Sequence, residues 1–142
     1  MGKQANVLVI ENDVMALEAL RLELGNNGVV VEAHADAAEA FRALAGGRFD
    51  VVVSALTVPR AGGLGVLNRV QQCDPALPLI VLADHASEPA ALEAVKRGAF
   101  DYVRKPFPRG RVAALVARAL EVRRLREEVK RLRAEREGQT SM

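Results

Sequence analysis

Five positions in this 142-residue chain carry, or conspicuously fail to carry, chemistry: Glu11 and Asn12, Ala55, Ala83, and Lys105. Each ends or directly follows a short apolar run. In an open parallel sheet, the ligand crevice lies beyond the carboxyl ends of the strands. Glu11 brings a carboxylate and Lys105 an ammonium, groups of opposite charge. Asn12 brings a neutral amide. Ala55 and Ala83 bring methyl groups, which cannot serve as nucleophiles. A crevice built from these five residues has charge at its rim and no reactive group at its centre.

The elements that must position them follow from the pattern of apolar runs and breakers. Val7-Leu-Val-Ile10, the run from Val51, and Leu79-Ile-Val-Leu82 are unbroken, as in parallel strands covered on both faces. Val29-Val-Val31 and Asp101-Tyr-Val103 complete a set of five. Between them lie segments with helical spacing. Asn12 or Asp13 can cap the first, with Val14, Leu17, Leu20 and Leu24 inward and Gly25-Asn-Asn-Gly28 as its stop. Asp36-Ala-Ala-Glu39 has the form of a capping box and opens a helix to about Ala45. A third helix holds Val66, Leu67 and Val70 and ends at Asp74-Pro75. The fourth is expected to be capped by Ser87, to carry Ala91, Leu92 and Val95, and to close at Gly98. Lys105-Pro-Phe-Pro108 turns the chain into the last helix. This alternation predicts an α/β fold: one doubly wound, five-stranded parallel sheet of flavodoxin-like order 2-1-3-4-5.

Composition fits that class. Half of the residues are hydrophobic, 27% are charged and 4% aromatic, and the net charge is +2. The charge is unevenly spread. Residues 1–108 hold ten Lys/Arg against thirteen Asp/Glu, whereas residues 109–142 hold ten against five. Cys73 is the lone cysteine, so no internal disulfide can form, and a reduced, cytoplasmic setting is expected. No apolar run approaches the roughly 18 residues of a membrane span, and the first six residues do not read as a signal peptide.

From Arg109 to Glu137, nothing after Gly110 interrupts a helix, and its length would be roughly 44 Å. Val112, Leu115, Val116 and Ala119 suit packing on the sheet. Further on, Val122, Leu125, Val129 and Leu132 alternate by three and four, the a and d positions of a parallel two-stranded coiled coil. In that register Glu121 and Glu128 occupy g positions and face Arg126 and Arg133 at e positions of a second copy, at about 0.3–0.5 kcal/mol per pair. A solvated monomeric helix is the plainer alternative. The basic residues between Arg118 and Arg136 also permit nucleic-acid binding, but interleaved glutamates and the lack of aromatics argue against it.

Three segments, Val7-Leu-Val-Ile-Glu-Asn-Asp13, Phe49-Asp-Val-Val-Val-Ser-Ala-Leu-Thr-Val-Pro59 and Gly98-Ala-Phe-Asp-Tyr-Val-Arg-Lys-Pro-Phe107, resemble the receiver domain of bacterial response regulators. The likeness spans about residues 5–120, and the third segment is close to the nitrogen-regulation, enhancer-binding type. The resemblance implies a CheY-like domain in phosphorelay signalling. Its mechanism uses two acids after the first strand and an Asp ending the third, which hold Mg²⁺, and that Asp takes phosphate from a histidine kinase. A Thr or Ser after the fourth strand and a Lys after the fifth bind the phosphoryl oxygens.

Against that pattern, only Lys105 is unchanged. The acid pair is Glu11-Asn12, the acceptor position is Ala55, the hydroxyl position is Ala83, and the usual Asp-Gly of the next loop is Gly62-Gly63. The resemblance thus points to a pseudo-receiver without a phospho-acceptor, in which neither catalysis nor Mg²⁺ is expected.

Several expectations follow. Glu11 reaches Lys105 in an ion pair that replaces the metal–phosphate cluster, or else Lys105 points to solvent. The Lys105–Pro106 bond is cis, as in the family. Tyr102 stands at the family's switch aromatic, as a recognition residue or a half-buried strand side chain. Asp84 and His85 lie in a loop over the crevice, either as a small polar site with Glu11 or simply solvated. His34 has no metal-spaced partners. Residues 1–120 form the receiver-like domain, 121–137 the coiled-coil extension, and 138–142 a disordered tail, so that the chain is a receiver fragment or stands alone. Its partners are then a second copy of itself and an unidentified signalling protein or fused output domain. A small-molecule sensor using the vacated crevice is the alternative from another class.

Overall fold

The computed structural model describes residues 4–56, 58 and 64–140. The expectation for Gly62-Gly63 lies outside the described residues. Five strands alternate with five helices: β1 Asn6–Ile10, α1 Val14–Gly25, β2 Val30–His34, α2 Ala37–Gly46, β3 Val51–Ala55, α3 Gly65–Cys73, β4 Leu79–Ala83, α4 Glu88–Lys96, β5 Asp101–Arg104 and α5 Arg111–Thr140. All strand pairs are parallel and their order is 2-1-3-4-5.

The unbroken apolar runs explain the layering. Alternate residues of β1, β3 and β4 point to opposite faces, and both faces need cover. Leu8, Val52 and Val81 pack with Ala40, Leu67 and Ala94 of α2, α3 and α4. Val9, Val53 and Leu82 pack with Leu20 and Leu24 of α1 and with Val112, Leu115 and Val116 of α5. The right-handed twist and crossovers of such a sheet leave the ends of β1 and β3 side by side, with Ile10 paired to Ser54. That pairing brings Glu11 and Ala55 to one end of the sheet.

Several local expectations are corrected. The second strand runs from Val30 to His34, extending beyond Val31 because its backbone keeps register with β1 to the end. Asp13 caps α1 by accepting from Met15 and Ala16 N–H, while Val14 lies largely in solvent at 68% exposure. Ser87 precedes α4 without a side-chain capping bond, since its hydroxyl is engaged with Asp84. Leu92 is exposed, and the small Ala91 and Ala94 bring α4 close to the sheet instead. The last helix begins at Arg111 and continues to Thr140, so residues 138–140 of the expected disordered tail are helical.

The start of α5 is closed from a distance. Glu23 of α1 accepts from Gly110 N–H through Oε1 and from Ala113 N–H through Oε2, each at 3.0 Å. These amides are among the donors a helix leaves unsatisfied at its first turn, where a carboxylate also meets the favourable end of the helix dipole. Among the described residues, no helix is long and apolar enough to cross a membrane.

Candidate functional site

Glu11 leaves the end of β1 and is fully buried, one of only two polar residues in the core among those described. Its backbone N–H donates to the His34 carbonyl at 3.1 Å, which fixes the turn out of the sheet. Its Oε1 accepts from Asp13 N–H at 3.0 Å. Its Oε2 lies 2.7 Å from Lys105 Nζ. Oε2 has no hydrogen-bond partner among the described residues, so the contact is one of charge. Lys105 keeps 28% of its side chain in water, and its N–H donates to the Ala83 carbonyl at 2.8 Å. The Lys105–Pro106 bond is cis. A buried carboxylate needs an opposite charge and a hydrogen bond, and here it has one of each.

Ala55 and Ala83 end β3 and β4 and are buried. Next to Ala55 the interior closes over a space of about 10 Å³ lined by Leu56, Leu67 and Val81, at most one water molecule in size. Asn12 is exposed. Asp84 turns to Ser87, accepting from its N–H at 2.8 Å and from its hydroxyl at 2.9 Å. Those bonds hold the Asp84 carboxyl below the usual aspartate range, with the Lys105 charge a smaller contributor. His34 pairs with Glu32 at 2.7 Å and lies 3.6 Å from Glu39.

Tyr102, half-buried on β5, donates through Oη to Glu88 Oε2 at 2.8 Å. Arg104 Nη1 lies 3.4 Å from the other oxygen of Glu88. The phenol's hydrogen bond is the main reason the Glu88 carboxyl titrates below its ordinary range, and the same bond raises Tyr102. A depressed carboxyl contributes stability above its unfolded pKa and loses it as pH falls through the folded value, so this link weakens in acid. We expect Tyr102→Phe to move the Glu88 titration up toward the ordinary glutamate value, read from its side-chain carbonyl shift by NMR. An unmoved titration would show that the bond is not formed in solution.

The chain's crevice and topology have a counterpart among known families. Residues 7–117 match the family described as the response regulator receiver domain. The chain belongs to this family. As a receiver it is a signalling domain of two-component systems. It is 37% identical over 130 residues to the C4-dicarboxylate transport transcriptional regulatory protein DctD of Pseudomonas aeruginosa, covering 92% of this chain and 28% of that protein. It is 35% identical over 114 residues to the DNA-binding transcriptional regulator NtrC of Escherichia coli, covering 80% and 24%. The receiver therefore spans less than a third of the length of either relative. Among solved structures, NtrX from Brucella abortus in complex with ADP superposes with a TM-score of 0.86 at 28% identity, covering 92% of this chain and 30% of that one.

The receiver family implies a Mg²⁺ site, and the described residues at the five crevice positions do not fit one. Mg²⁺ takes near-octahedral oxygen ligation with one or two carboxylates. Of the two Glu11 oxygens, one accepts an amide and the other faces an ammonium. The remaining positions supply an exposed neutral amide and two methyl groups.

On α5, Leu125, Val129 and Leu132 are 48%, 46% and 50% exposed, whereas Val122 is partly buried. The acids beside them are occupied within their own helix. Glu121 pairs with Arg124 at 2.6 Å, Glu128 pairs with Arg131, and Arg131 also reaches Glu135 at 2.7 Å. Sequence reading missed a further group, Arg123 with Asp50 and Asp74. No local pattern announces it, because its members come from α5, the start of β3 and the end of α3.

Proposed function

We propose that this receiver is silent toward phosphate and signals by association, as a parallel homodimer joined through the exposed half of α5. The observation that carries the reading is the Glu11–Lys105 contact of 2.7 Å beside Ala55. The charge that would hold a phosphoryl oxygen is spent on the neighbouring carboxylate, and the strand end between them has no nucleophile. The domain then acts neither as a catalyst nor as a Mg²⁺ binder. It serves as a cytoplasmic interaction module whose dimer presents the β4–α4–β5–α5 face, with Tyr102 on it, to a signalling protein or a linked output domain. Nucleic acid is not its partner on this reading, since glutamates are interleaved with the basic residues of the helix and pair with Arg124 and Arg131, and no aromatic side chain accompanies them.

Sedimentation velocity of the full chain, with and without a small-molecule phosphodonor and Mg²⁺, tests this. The expected result is the same dimer mass in both. Association that appears or strengthens only with phosphodonor would contradict it.

A further inference from the structure

The exposed half of α5 is fastened to the domain by a charge cluster, and the cluster faces away from the seam. Arg123 has only 13% of its side chain in water, on a stretch of helix where Leu125, Val129 and Leu132 are about half exposed. Its Nη2 lies 3.1 Å from Asp74 Oδ2 and 3.2 Å from Glu127 Oε1, and its Nε lies 3.9 Å from Asp50 Oδ1. Each aspartate is oriented beforehand by the backbone. Asp50 Oδ2 accepts from Asn6 N–H at 2.8 Å, and Asp74 Oδ1 accepts from Ala76 N–H at 3.0 Å. Both carboxylates therefore give one oxygen to the base of the sheet and turn the other to the guanidinium.

A groove of about 850 Å³ runs beside this cluster, between α5 and the amino ends of the strands. It does not make the cluster an anion site. Nε and Nη1 of Arg123 are buried and have no hydrogen-bond partner among the described residues, and Nη2 is already shared by two carboxylates. The arrangement is a closed fastening. At 3.6 residues per turn, the mean direction of Arg123 and Glu127 lies roughly 160° around the helix from that of Val122, Leu125, Val129 and Leu132.

We propose that Arg123 is a positioning residue: held by Asp50 and Asp74, it fixes the direction and rotation of α5 so that the seam faces outward, toward a second copy of this chain. The choice of partner rests on the dimer reading above, whereas the fastening itself is a property of one chain. An arginine suits the place because its guanidinium spreads the charge over two nitrogens that face carboxylates, Nη2 toward Asp74 and Glu127 and Nε toward Asp50, which a lysine's single ammonium does less well.

The test is a spin-label distance between Lys96→Cys on α4 and Lys130→Cys on α5, with Cys73→Ser. Labelled chains are diluted in excess unlabelled chain so that the distances are intramolecular. The expected result is one narrow distribution, which broadens or shifts with Arg123→Met and, to a smaller degree, with Arg123→Lys. Asp74→Asn, which leaves the helix sequence intact, should also broaden it. Distributions unchanged in Arg123→Met and in Asp74→Asn would overturn the proposal. If sedimentation shows a monomer while these variants still broaden the distribution, the fastening stands and only the dimer reading falls.

Discussion

Lys105→Met is expected to destabilise the domain by about 3–5 kcal/mol, the cost of leaving a buried carboxylate without its counter-charge. Glu11 is fully buried, and its remaining partner is the Asp13 amide. Lys105 is 28% exposed, so water entering beside the shorter side chain places the loss toward the lower end of that range. A domain of this size has about 5–15 kcal/mol in total, so the change is a large share. Chemical denaturation should show a lower midpoint at constant m. The cause is separable by adding Glu11→Gln, which removes the buried charge. The double variant should recover most of the loss, and the coupling between the two sites should exceed about 1 kcal/mol. A single variant as stable as the parent would mean that the ion pair is absent in solution.

Leu125→Glu should abolish dimerisation, raising the dissociation constant by at least about 100-fold, or roughly 3 kcal/mol. Burying the exposed half of a leucine contributes about 1 kcal/mol, and a carboxylate in an apolar seam adds its desolvation cost. Val129→Glu or Leu132→Glu should act in the same direction. The flanking charges should matter much less. Glu121 and Glu128 already hold arginines of their own helix, so bonding across to Arg126 or Arg133 of a second copy exchanges one pair for another. Arg126→Glu is therefore expected to change association less than tenfold by sedimentation. A charge-reversal effect as large as that of Leu125→Glu would mean that ion pairs, rather than the apolar seam, hold the dimer.

Much of this molecule is legible in its sequence, for identifiable reasons. Val7 to Ile10, Val51 to Val53 and Leu79 to Leu82 are apolar without interruption because both faces of the sheet are covered, and that pattern alone implies parallel strands. Once the strand order is inferred, Glu11, Ala55, Ala83 and Lys105 follow as the residues at its carboxyl end. Interactions between distant segments with no pattern of their own were not legible. Glu23 reads as a surface residue of α1, yet it closes the first turn of α5. Arg123 reads as one arginine among many on a basic helix, yet it is drawn inward by aspartates from two other elements. Periodicity likewise puts Val14 and Leu92 on inward faces. Each helix instead settles with small or later residues against the sheet, and those two side chains are left outside.

Silence toward phosphate is a matter of covalent chemistry, which intact mass reads without intermediaries. The full chain is incubated with a small-molecule phosphodonor and Mg²⁺ beside an active receiver as control. The control should gain a phosphoryl group while this chain keeps its unmodified mass. A phosphoryl adduct that maps to a crevice carboxylate would show that this receiver is not silent toward phosphate.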